Sequence, residues 1–256
     1  NGRTHRIGIP ELFTFEPNTT YNGDVIIEKT AAGLTISGTL NNEAGQMTTF
    51  THTDEGSDVN NFGMLSFHVN SRTFGSTGTP EKPDNGATFS NVKLEIIGGA
   101  DQAAAPTGPV VFDDSFTDGD RANGADAIDT NWWTTSSSSA IEVAEGQLGL
   151  VSGTSGRGIR TTFAPQDLAV GETLQATFTF STPETVGAGK DSAFRIGFFD
   201  KLGRTALEDD LSASSKSPNV LYDGLPGYLI DFDINPEDPA AANIDIRKHK
   251  VDTQGR

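Results

Sequence analysis

The sequence predicts an all-β fold, an antiparallel β-sandwich, on three observations. Apolar residues alternate with polar ones in short runs, turn residues separate the runs, and no stretch carries the 3.6-residue period of a long helix. The 29 glycines and 12 prolines, with abundant Thr and Ser, supply the punctuation. In the first hundred residues Leu34, Ile36 and Gly38 alternate, then Leu65, Phe67 and Val69, then Val92, Leu94 and Ile96. Later, Leu174, Ala176, Phe178 and Phe180 point one way, with Gln175, Thr177 and Thr179 between them. Phe194, Ile196 and Phe198 repeat the pattern, as do Tyr228, Ile230, Phe232 and Ile234, then Ile244 and Ile246. Asn22-Gly23, Asn85-Gly86 and Asn123-Gly124 are suited to positive φ and read as tight turns. The pattern amounts to about a dozen strands.

The 256 residues suffice for one large β domain or two smaller ones. Residues 99–109, Gly-Ala-Asp-Gln-Ala-Ala-Ala-Pro-Thr-Gly-Pro, lack alternation and read as a linker between segments 1–98 and 110–256. Each segment looks incomplete as a sandwich alone. A chain opening at Asn1 reads as a processed or excised piece.

Composition excludes several function classes. Lys plus Arg is 18 against 35 Asp plus Glu, a net charge of −17, which sets the chain against a nucleic-acid phosphate backbone. With no cysteine there is no disulfide, thiolate metal site or cysteine nucleophile. No stretch approaches the roughly 20 apolar residues of a spanning helix, so no membrane span is expected.

A resemblance enters after the linker. Val110-Val111-Phe112-Asp113-Asp114-Ser115-Phe116 is followed by Asn131-Trp132-Trp133, then by Ile141-Glu142-Val143-Ala144-Glu145-Gly146-Gln147-Leu148. Gly227 to Asp233 gives Gly-Tyr-Leu-Ile-Asp-Phe-Asp, Phe62 to Asn70 a further strand, and Phe89 to Glu95 reads Phe-Ser-Asn-Val-Lys-Leu-Glu. This set resembles concanavalin A-like, laminin G-like jelly-roll domains, in particular the long repeats of large secreted bacterial surface proteins. The resemblance spans nearly the whole chain in rotated order, with the family's C-terminal half at 1–98 and its N-terminal half at 110–256. It implies a jelly-roll sandwich in an extracellular or cell-surface setting. The rotation fits either one period of a tandem array or a circular permutant. The array is favoured, and it makes neighbouring copies of the same unit the expected partner.

Three candidate sites follow from residue types and parity. Asp231 and Asp233 share the non-core side of one strand, as a glycoside hydrolase's carboxylate pair would. The related hydrolases use a Glu-x-Asp-x-x-Glu strand, and Leu229 stands in place of the first Glu, so catalysis is not expected. The same off-core parity gathers Arg195, Asp231, Asp233, Asp245, Arg247, His68 and Asn70 into a polar face able to bind a polysaccharide or a neighbouring subunit. Trp132, Trp133, Tyr222 and Phe199 are candidate aromatic platforms, with Trp133 taken as the ligand-binding one. Third, Asp113, Asp114, Asp118 and Asp120, with Asn123 and Asp126 nearby, offer the hard oxygen ligands Ca²⁺ takes, off the EF-hand spacing. The laminin G-like resemblance implies a structural Ca²⁺ near the sandwich rim.

Other motifs carry little. His5, His52, His68 and His249 lack metal-ligand spacing, and Gly153 to Gly158 reads as a hairpin turn without a phosphate loop's Lys-Ser/Thr. Ser136 to Ser139 is a polar run, and Asn18-Thr19-Thr20 a formal glycosylation sequon. The expectation is a non-enzymatic structural and adhesive repeat unit of a surface or filament protein. The alternative is a carbohydrate-binding module of a secreted glycan-degrading protein.

Overall fold

Alternation of β-branched and aromatic residues with Thr, Ser and charged residues gives fifteen strands among the described residues of a computed structural model. The structure describes the backbone of 3–9, and residues 13–70, 73–75, 86–98, 109–122, 128–135, 141–151, 156–187, 192–210, 224–234 and 244–249. Residues 99–108, Asn85, Asn123, Gly124, Asp126, Ser136 to Ser139, Gly153 and Tyr222, all singled out above, lie outside them.

Before residue 99 the strands are β1 (Arg3–Ile9), β2 (Thr20–Lys29), β3 (Gly33–Asn42), β4 (Met47–Glu55), β5 (Asn61–Val69) and β6 (Gly86–Gly98). After it come β7 (Val110–Asp114), β8 (Trp132–Thr134), β9 (Ile141–Ala144), β10 (Gln147–Val151) and β11 (Arg157–Asp167). The last four are β12 (Glu172–Ser181), β13 (Ala193–Phe199), β14 (Gly227–Asp233) and β15 (Ile244–His249). A 3-10 turn at Thr205–Leu207 is the one helical element among the described residues.

Among the described residues all strand pairings are antiparallel. One sheet runs β1-β15-β14-β13-β5-β11-β8, and the other runs β4-β3-β2-β12-β6-β10-β9 with β7 also on β6. The two sheets face each other across a shared core, which makes the fold a β-sandwich. Phe67 of β5 sits at its centre, its ring 4.7 Å from Phe89 and 5.3 Å from Phe178 of the opposite sheet. Phe180 and Phe194 meet across the same gap at 5.0 Å.

The order of segments in each sheet is the main topological fact. Taking N for strands of 1–98 and C for strands of 110–256, both sheets read N, C, N, C from edge to edge. β5 lies between β13 and β11, and β6 between β12 and β10. β1 pairs β15, with Arg3 opposite His249.

The Asn22-Gly23 pair is a correction. It lies inside β2, where Gly23 faces Phe178 of β12 and a Cβ would run into that ring. The glycine there makes room for an aromatic side chain of the next strand instead of turning the chain. The β3–β4 hairpin turns at Gly45, whose φ of 83° suits glycine, with Gly45 N–H donating to Asn42 O.

Candidate functional site

Strand parity builds a polar row on the outer face of the first sheet. Register places Asp245, Asp231, Arg195 and His68 side by side on β15, β14, β13 and β5. Asp231 is 3% exposed, and its Oδ2 lies 3.0 Å from Arg195 Nε and in an ion pair with Arg247 Nη2. Arg195 Nε makes this as a charge contact out of line for a hydrogen bond. Arg247 also reaches Asp245 at 3.8 Å, and Arg195 Nη1 donates to Asn70 Oδ1 at 2.6 Å. Two guanidiniums therefore face two buried carboxylates, two formal charges of each sign. Asp233 lies two residues further along β14, half-buried.

His68 closes the row. Gly156 and Gly158, at the start of the neighbouring strand β11, leave room for its ring, since a Cβ on either would press on it. Burial, then the Arg195 charge, holds the imidazole down at about 3, so it is neutral at ordinary pH. Both ring nitrogens lack a hydrogen-bond partner, as do Ser66 Oγ and Asp231 Oδ1 on the same face.

The other end of this face is covered. Met64, Phe199, Leu207 and Leu225 form a small apolar cluster with Leu229 packed against it. The covering segment is fastened by Arg160, fully buried, which donates to the carbonyls of Leu207, Thr134 and Asp209. Arg121 grips Asp210 with two hydrogen bonds of 2.8 and 2.7 Å, and Thr134 N–H donates to the same carboxylate. Phe199 is thus core to this cluster, and Trp132 is buried in the main core, so neither is an exposed platform. Trp133 is half-buried on β8, with β11 between it and β5. Among the described residues no aromatic side chain is fully exposed.

The acidic loop is arranged differently from its sequence reading. Asp118 and Asp120 gather with Asp129, their carboxylate oxygens within 4.8 Å of one another. Asp113 is turned away, accepting from Asn91 Nδ2 at 3.0 Å. Asp114 is buried, and its two oxygens accept from Phe116 N–H and Trp132 Nε1–H. It also interacts with the Asp129 carboxyl. Burial pushes Asp114 up to about 7, the two donors pulling against it and Asp129 adding to the rise. Asp129 is raised by burial and by the charges of Asp118 and Asp120, against its bonds from Asp114 and Thr130 N–H. Asp129 was missed in sequence because the intervening residues hide which acid folds back.

A second network also escaped the sequence. Tyr228, facing the core from β14, hydrogen-bonds Asp54 Oδ2 and Ser57 Oγ at 2.6 Å each, and Lys248 pairs with Asp54 and Asp58. Burial first, and then the Asp54 contact, raises the phenol above its usual value, so it stays protonated. The network ties the end of β4 to β14 and β15 of the facing sheet.

No known family model matches the chain, and no curated protein is significantly similar to it. Among the described residues, no helix is long and apolar enough to cross a membrane.

Proposed function

We propose that the chain is a non-enzymatic structural and adhesive unit of an extracellular surface or filament protein. In this reading it is a jelly-roll of the concanavalin A-like, laminin G-like class that works through β contacts with neighbouring copies. The observation that carries it is the N, C, N, C order of both sheets, which makes association between the two segments the basis of the fold. The polar row supports a structural role: Asp231 is taken up in ion pairs with two guanidiniums, those of Arg195 and Arg247. The acidic group of Asp118, Asp120 and Asp129 is where a bridging Ca²⁺ would sit, with Asp114 behind it.

Sedimentation of the purified chain over a wide concentration range, with and without Ca²⁺, tests the reading. Concentration-dependent association without glycan turnover is expected. A chain that stays monomeric throughout and hydrolyses a glycan would overturn it.

A carbohydrate-binding module is the second reading, favoured by the half-buried Arg195, Arg247, Asn70 and Asp233 gathered on one face. Specific binding on a glycan panel, lost on Asp231→Ala or Trp133→Ala in variants that remain folded, would support it.

A further inference from the structure

We propose that segment 1–98 is exchanged between copies, one chain's 1–98 completing another chain's 110–256. This deepens the structural reading and rests on it, by naming the partner as a second copy and the exchanged piece as the first segment. Of the strand pairings among the described residues, seven join the two segments: β1 with β15, β5 with β11 and β13, β2 with β12, and β6 with β12, β10 and β7. Only the meander β2-β3-β4 is internal to 1–98, while β1, β5 and β6 find every neighbour in 110–256. In 110–256, β12 likewise pairs only with strands of the first segment.

Removing 1–98 would therefore leave β12 without partners and strip β5 from the middle of its sheet. What remains is open edges on β15, β13, β11, β12 and β10 over an apolar core, with Phe67 gone from beside Phe194 and from opposite Phe178, and Phe89 gone from beside Phe180. Such edges accept a strand of matching register and reject others, because a one-residue slip turns the core set outward. The segment that matches is 1–98, from this chain or from another copy.

Every strand pairing is the same in both arrangements, so concentration selects between them. One connection, residues 99–108, joins Gly98 to Pro109, and ten residues reach roughly 35 Å when extended. A connection of that length holds its own segment at an effective concentration on the order of mM. Copies crowded at a surface or strung on one chain reach the same range, and exchange then links unit to unit head to tail.

Two full-length variants, each broken in one segment, test this. Phe67→Asp damages 1–98 and Phe194→Asp damages 110–256. Refolded together they should give a two-chain species with about half the wild-type unfolding amplitude, one intact sandwich per pair. The control is Phe67→Asp mixed with Phe89→Asp, both in 1–98, which leaves no intact first segment. Recovery only in the cross-segment mixture is expected. Equal failure of both mixtures would overturn the exchange. Wild-type sedimentation separates the two claims: association despite failed complementation leaves the structural reading standing on edge contacts alone. A wild-type chain that stays monomeric and binds glycan sinks that reading itself.

Discussion

Asp231 carries more of the outer face than any other single side chain. Its carboxylate holds Arg195 and Arg247 in place, and Arg195 in turn holds Asn70. Asp231→Ala would leave two guanidiniums without their buried partner and should cost about 3 kcal/mol in urea unfolding. Replacing Asp231, Arg195 and Arg247 together by apolar residues should cost less, because nothing charged is then stranded. pH separates two other residues. The folded state keeps His68 neutral down to about 3 while the unfolded imidazole titrates near 6.5. Its contribution is complete above 6.5 and is lost as pH falls toward 3, at up to about 1.4 kcal/mol per pH unit. Asp114 acts in the opposite sense: its folded carboxyl keeps a proton up to about 7 against 3.8 unfolded, so its contribution is lost as pH rises through that window. The wild-type profile is the difference of two overlapping effects. His68→Asn should remove the acid-side loss, and Asp114→Asn the loss toward neutrality, in urea titrations at a series of pH values.

Among the elements, aromatic rings laid over glycines of the next strand set how closely the strands pack. Phe178 covers Gly23, and Phe50 lies opposite Gly38, where a Cβ would meet both its ring and the Asp24 carbonyl. Gly38→Ala should therefore lose about 1–3 kcal/mol by overpacking, read as a lowered urea midpoint with an unchanged slope. The alternating runs were legible: Leu174 to Phe180, Phe194 to Phe198 and Tyr228 to Phe232 are all core-facing as their parity predicts. Parity also gathered Asp245, Asp231, Arg195 and His68, since neighbouring strands in register share a face. It did not reveal that β5 is buried on both faces, because the cover over Met64 comes from Leu207 and Leu225, far along the chain. The unbroken run Phe62-Gly63-Met64-Leu65 was the available signal, as strands covered on both sides lose their alternation. Asp129 joining Asp118 and Asp120 depends on a fold-back that no local pattern encodes.

For the whole molecule, the sandwich is defined by how two segments interlock, more than by the order in which they occur. β15 and β1 are antiparallel neighbours with Arg3 opposite His249, so the nine residues of 250–256 and 1–2 would close them as a hairpin. A permutant with residue 256 joined to residue 1 and opened between 101 and 107 should fold to the same sandwich, with the same buried Trp132 fluorescence. Loss of cooperative unfolding in that permutant would count against interchangeable connections. Strand order and register are the same whether each segment meets its partner within one chain or in another copy, since each pairing needs only the right segment at hand. The central claim is a structural unit whose sandwich is completed between consecutive copies. The most direct measurement is the mass of the native polypeptide under denaturing conditions, by mass spectrometry. The account predicts a mass far above 27.1 kDa, close to multiples of it; a native polypeptide of 27.1 kDa that also stays monomeric in sedimentation would contradict it.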